Sequence, residues 1–280
     1  LTGIPPGNPD RPHDVERPFM SLPLVDIQAT PDARNVPIDR VGVKKVRYPI
    51  VLRSREGEAQ QTVGEFTLTV DLPREFKGTH MSRFLEILAE HNDDLSAVTI
   101  PDILAKLRER LKAETAHLDV RFTLFRAKAA PVTGKVGMMG YECGFSAAAG
   151  LETRFELTLV VPVTTLCPCS REISEYGAHN QRGYVTVRVR PDGHVWLEDV
   201  IDVIETAGSA PLYPVLKRPD EKFVTEQAYD NPRFVEDLVR EVALAFDRDG
   251  RFAEYRIEVE NHESIHDHNA YALIERPRAS

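Results

Sequence analysis

Apolar side chains in this chain change their spacing in the same order twice, from period two to helical period and back. Alternation at two residues marks a strand with one buried face, and recurrence at three and four marks a helix with one buried stripe. Residues 41–52 are rich in Val, Tyr and Ile, and within 62–72 Phe66, Leu68 and Val70 share a face. The period then lengthens. Phe84, Leu85 and Leu88 repeat behind Thr79, a candidate cap, and Ile100, Leu104, Leu107 and Leu111 repeat with Pro101 near a helix start. Alternation returns in Leu118, Val120, Phe122 and Leu124, and a further strand is expected over 136–145.

The second half follows the same order. Phe155, Leu157, Leu159, Val161 and Val163 alternate, as do Val185, Val187 and Val189. Residues 195–205 mix acidic residues with Val and Ile, and both helix and strand stay open there. Asn231 and Pro232 are expected to cap a helix bearing Phe234, Val235, Leu238, Val242 and Phe246, closed by Asp249 and Gly250. Tyr255, Ile257 and Val259 form a strand, and 270–275 form the last. Strands in hairpins around a helix pair imply an α+β fold, with antiparallel sheets and helices on one face. The repeated order suggests a duplication read from pattern alone, with a boundary near Gly150. The expected division is an N-terminal arm over 1–25, a first unit over 26–150 and a second over 151–280. Open sheet edges are a hazard that pairing between subunits removes, so an oligomer is expected.

Composition narrows the function classes. The chain has 42% hydrophobic and 28% charged residues, as soluble globular proteins do. No apolar run approaches the roughly 20 residues that a bilayer requires. Pro5, Pro6, Pro9 and Pro12 with several charges make the first 25 residues read as a loose arm and not a signal peptide. A net charge of -9 argues against general nucleic-acid binding. It leaves room for a local basic pocket that holds one phosphorylated small molecule. Three cysteines are too few for a disulfide scaffold and fit a cytoplasmic protein.

The densest chemistry lies in Thr164-Thr-Leu-Cys-Pro-Cys-Ser170, followed by Glu172, Glu175, His179, Asn180, Gln181 and Arg182. Thiolate and imidazole suit zinc and related metals. On spacing alone, a metal site and a turn holding a buried thiol are both open for Cys167 and His179. A second cluster is Asn261-His-Glu-Ser-Ile-His-Asp-His-Asn269. It reads either as a polar hairpin turn or as a functional loop in which His266 shuttles protons. Glu221, after a turn-like Arg218-Pro-Asp220, and Glu236 each read in isolation as solvated carboxylates. Lys77, His80 and Arg83 precede or open a helix. They could bind an anion there, or could be ordinary surface bases around a capped helix.

Taken together these stretches resemble the type IB GTP cyclohydrolase family. The resemblance rests on 77–84, Leu166-Cys-Pro-Cys-Ser170, Tyr176-Gly-Ala-His-Asn-Gln-Arg182, Leu216-Lys-Arg-Pro-Asp-Glu-Lys222, Tyr229-Asp-Asn-Pro232 and Asn261-His-Glu-Ser-Ile-His266. It runs from about residue 25 to the C-terminus. It implies tandem tunnelling-fold units, two per chain, assembled as a homotetramer with sites at the joins. It implies conversion of GTP to dihydroneopterin triphosphate and formate, on the way to tetrahydrofolate. Carried over by residue, the metal ligands are Cys167, His179 and Glu221, for zinc or manganese, with iron a further candidate. Glu236 is a further active-site carboxylate, His266 the catalytic histidine and Glu263 the guanine anchor, while Cys167 joins the catalytic set as a ligand. Lys77, His80, Arg83, Arg182, Lys217 and Arg218 are the cations available to a triphosphate. Cys169 carries no implied role. The rivals are a nitrile reductase of the same fold with Cys167 as nucleophile, an archaeal-type cyclohydrolase releasing a cyclic phosphate, and a non-catalytic metal-binding module.

Overall fold

In the computed structural model, which describes residues 26–277 apart from 27, 29, 92–94, 151–152 and 253, the alternating runs are strands of one antiparallel sheet. They are β1 (Ile38–Arg53), β2 (Ala59–Leu72), β3 (Ala116–Ala129), β4 (Val136–Ala149), β5 (Arg154–Leu166), β6 (Asn180–Arg190), the short β7 (Ala210–Pro211), β8 (Glu254–His262) and β9 (Ala270–Arg276). Neighbours run in the order β1-β2-β3-β4-β5-β6-β8-β9, with β7 on β5. The helices are α1 (Met81–Ala89), α2 (Ile100–Leu111), α3 (Pro168–Ile173), α4 (Leu197–Ala207), α5 (Arg218–Asp230) and α6 (Val235–Arg248). The expected N-terminal arm lies outside the described residues.

Register explains the two faces of the sheet. Phe122, Cys143, Leu159, Val187 and Ile257 pair across successive strands and are all buried. One position along, Thr158, Arg188 and Arg256 pair in a polar row on the other face. Phe84 of α1, Ile103 and Leu104 of α2, Ile201 of α4 and Leu238 of α6 complete one apolar core with the inward strand residues. Each such side chain stabilises the fold by about 1.5–3 kcal/mol on burial. β4 pairs with β5 from Glu142↔Val160 to Ala148↔Arg154, so the sheet continues across position 150.

Several local details differ from the sequence expectation. Residues 195–205 are mainly helical: Val200, Ile201 and Ile204 form the buried stripe of α4, while Asp199 and Asp202 face outward to Arg55, Arg126 and Arg251. α5 begins at the stretch that reads as a turn, because Pro219 fits the first helical turn as well as it fits a turn. Asn231 closes α5, and its side chain donates to the Gly208 carbonyl at 2.9 Å. The N-cap of α6 is Phe234, whose N–H is taken by Asp237. His80, not Thr79, caps α1, without a side-chain bond.

One buried polar contact ties the β3–β4 hairpin to α4. The Lys128 ammonium and the Tyr141 hydroxyl both donate to Glu205 Oε1, at 2.6 and 2.7 Å. Burial pulls the Lys128 pKa down against the attraction of Glu205, and burial together with that carboxylate pushes the Tyr141 phenol up.

Candidate active site

The site is assembled by strand pairing. β5 and β6 are in register up to Leu166↔Asn180, so the next residue on each strand, Cys167 and His179, must meet across the mouth of the intervening loop. The Cys167 N–H donates to the His179 carbonyl at 3.1 Å. Cys167 is also the N-cap of α3, where its sulfur accepts the Ser170 N–H at 3.5 Å and Pro168 starts the helix. The Ser170 hydroxyl donates to the Cys167 carbonyl and accepts the His179 N–H. The loop is thereby clasped at its base by the backbones of Cys167 and His179, and the Cys167 thiol is half-buried.

The next pairing brings in the polar cluster. β6 and β8 place Arg182 opposite His262, which sets the segment after β8 alongside His179. Ser264 Oγ lies 3.1 Å from His179 Nδ1. With the proton on Nδ1, the imidazole donates to Ser264 and Nε2 offers its lone pair. Farther along the same segment the His266 and His268 rings stack at 5.2 Å, and Asn269 donates to Glu260 at 2.7 Å to close the hairpin. Glu263 is half-buried and His266 is exposed. In the flanking elements Gln181 Oε1, Arg233 Nε and Asn261 Oδ1 are buried without hydrogen-bond partners among the described residues. Such unmet capacity is uncommon in a structural core and is available to a ligand or to ordered water.

The remaining sequence candidates fall into two groups. Lys217, Arg218 and Glu221 occupy the exposed start of α5, and Glu236 the exposed first turn of α6. These helices are anchored near the loop, because Arg233 N–H donates to the Leu166 carbonyl and the Arg171 guanidinium covers the Tyr229 ring at 4.7 Å. Lys77, His80 and Arg83 lie at α1, on the β1 side of the sheet. There His80 Nε2 meets Asp26 at 3.0 Å, and Arg83 donates to the Arg110 carbonyl near the end of α2. Among the described residues no three His, Cys, Asp or Glu side chains are grouped to hold a metal ion. A backbone hydrogen bond joins Cys167 to His179, and Glu221 lies in the first turn of the neighbouring α5. Of the other cysteines, Cys169 is exposed on α3, and Cys143 is buried in the sheet with its thiol pushed up to about 12 by burial, which keeps it unreactive.

A family model described as "Type I GTP cyclohydrolase folE2" matches residues 24–272. The chain belongs to the type I GTP cyclohydrolase FolE2 family. Its relatives include "GTP cyclohydrolase FolE2" of Nitrosococcus oceani, 48% identical over 262 residues, covering 93% of this chain and 98% of that one. Those of Kosmotoga olearia and Magnetococcus marinus are 50% and 51% identical over 254 and 255 residues, each covering 91% of this chain, and 99% and 96% of theirs. Among solved structures, a highly active mutant of Bacillus sp. TB-90 urate oxidase superposes with a TM-score of 0.50 at 10% identity, over 86% of this chain and 100% of that one. That likeness concerns the fold alone. The FolE2 match spans every candidate named above. Ser264 and Asp220 lie inside motifs quoted for the resemblance, yet their contacts appear only once strands and helices are paired.

Proposed function

We propose that this chain is a metal-dependent GTP cyclohydrolase that converts GTP and water to dihydroneopterin triphosphate and formate, the first step of tetrahydrofolate biosynthesis. The observation that carries the reading is the FolE2 match over 24–272 laid on a site where Cys167, His179 and the 263–269 segment converge. A thiolate, an imidazole and a carboxylate form a donor set suited to zinc, manganese or iron. The clasped Cys167–His179 pair fits two of those places, and Glu221 is the proposed third. Bound there, the metal supplies Lewis acidity and brings the pKa of a water toward neutrality.

The chain's own residues do the rest. Glu263 accepts hydrogen bonds from the guanine ring and amino N–H groups, a charge-assisted pattern that adenine cannot return. His266 carries a proton to the imidazole nitrogen of the purine as the ring opens and its carbon leaves as formate. Glu236 is a second carboxylate for proton transfer during rearrangement of the ribose. Ser264 keeps the His179 ring in one orientation. Arg182, Lys217 and Arg218 are cations of the site's own half for the triphosphate.

The assembly follows from the edges. We read the chain as two tunnelling-fold units, 26–150 and 151–280, because strand pairs flank helices in each. β1 and β9 end the sheet with one neighbour apiece among the described residues. Joining the β1 edge of one chain to the β9 edge of the next, in a homotetramer, would carry Lys77, His80 and Arg83 toward the next chain's 263–269 segment. No helix of the described residues is long and apolar enough to cross a membrane, and we place the enzyme in the cytoplasm.

The test is incubation of the purified protein with GTP and added zinc or manganese. Formate and, after oxidation, a fluorescent pterin should accumulate, and Cys167→Ala should abolish both while the protein stays folded. Pterin formation by Cys167→Ala at the wild-type rate would reject the thiol as a required ligand. Failure of the wild type with each of these metals and iron would reject the activity. The nitrile-reductase reading, with Cys167 as nucleophile, instead predicts activity indifferent to metal removal.

A further inference from the structure

Glu221 has a neighbour that is built differently from it. Glu221 is exposed, whereas Asp220 has no exposed surface at all. Both Asp220 oxygens are filled. Oδ1 accepts the N–H groups of Val132 and Thr133 at 2.9 and 2.8 Å, and Oδ2 accepts the Thr133 hydroxyl at 2.7 Å and the Lys217 N–H at 2.9 Å.

Capping the first turn of α5 needs only the Lys217 bond. The other three cross from α5 to the turn between β3 and β4, more than eighty residues earlier in the chain. That turn is itself closed by Ala130 N–H to the Lys135 carbonyl and Gly134 N–H to the Ala130 carbonyl, with Gly134 at φ +66. The segment leading into α5 is pressed onto the same hairpin. A Cβ on Gly137 would come within 2.8 Å of Pro214 and Val215.

We propose that Asp220 is a positioning residue, holding the first turn of α5 against the β3–β4 turn so that Glu221 is presented at one place. The inference rests on the reading of Glu221 as a metal ligand. Glu221 buries little surface of its own, so its location is inherited from the backbone of that first turn. The β3–β4 hairpin, in the first half of the chain, thus takes part in a site whose proposed ligands all lie in the second. Partners of this kind commonly alter metal affinity by about 10–100-fold.

The experiment is zinc affinity of the full chain by chelator competition, with folding checked by circular dichroism. The set is wild type, Thr133→Val, Asp220→Asn, Glu221→Gln and the Asp220→Asn/Glu221→Gln double variant. Asp220→Asn should weaken zinc by roughly tenfold or more, and Thr133→Val by a smaller factor in the same direction. Thr133→Val keeps three of the four bonds and serves where Asp220→Asn fails to fold. In the Glu221→Gln background, Asp220→Asn should change nothing further. Equal weakening in both backgrounds would show general loosening and overturn the positioning role. Wild-type affinity in Thr133→Val and Asp220→Asn beside a weakened Glu221→Gln would overturn it while sparing the ligand. Wild-type affinity in Glu221→Gln would overturn the ligand reading itself, and the positioning role with it.

Discussion

Ser264 touches His179 Nδ1 through a single hydroxyl, and where that hydroxyl accepts the Nδ1 proton, Nε2 is the nitrogen left for a metal. A ring whose Nδ1–H is held by an oxygen acceptor presents Nε2 as the ligand. Ser264→Ala should leave the fold intact, since the residue is exposed. It should raise the dissociation constant for zinc by roughly tenfold. Chelator competition measures this, and an unchanged constant would remove Ser264 from the site. The Cys167–His179 pair was legible as a candidate in the sequence because a strand with clean alternation ends just before the thiol. The role of Ser264 was not, because its contact depends on the β6–β8 register. A register is a relation between strands distant in sequence and leaves no local period.

At the level of elements, legibility tracked the width of the buried stripe. α6 buries Leu238, Val239, Val242 and Phe246 at helical spacing and stands out. α5 buries only Asp220 and Ala228, so it has no apolar period to read, and Arg218-Pro-Asp220 suits a turn as well as a first helical turn. α4 was ambiguous because its stripe is β-branched, and Val and Ile favour strands when packing is unknown. Its placement depends partly on Glu205, which accepts from both Lys128 and Tyr141 in a largely buried spot. Removing one member of such a pair strands the other charge. Glu205→Ala should therefore destabilise the protein by roughly 3–5 kcal/mol. Tyr141→Phe, which removes one hydrogen bond and leaves the ion pair, should cost about 1 kcal/mol. Urea unfolding compares the two. Equal losses would mean that the ion pair does not hold α4 to the hairpin.

For the whole molecule, the sheet order separates two sets of residues that the proposed reaction needs together. Lys77, His80 and Arg83 sit by α1 on the β1 side, while Cys167, His179 and the 263–269 segment flank the ends of β5, β6 and β8. Strand alternation in the sequence revealed the sheet and its open edges, but a sequence carries no sign of which edge meets which. If the β1 side of one chain completes the site of the next, each site draws on two chains, and two separately inactive variants can rescue each other. Lys77→Ala, if the triphosphate requires it, and Cys167→Ala should each be inactive alone. Random mixed oligomers of the two would form about a quarter of their sites from an intact cation and an intact thiol. Co-expression of the two variants, followed by the pterin assay, should recover on that order of the wild-type rate. Refolding them separately and mixing without exchange should recover none. If the co-expressed mixture stays inactive while mixed oligomers are shown to form, both sets serve a site within one chain or the Lys77 cluster serves none. If Lys77→Ala alone keeps full activity, that cation has no part in holding the triphosphate.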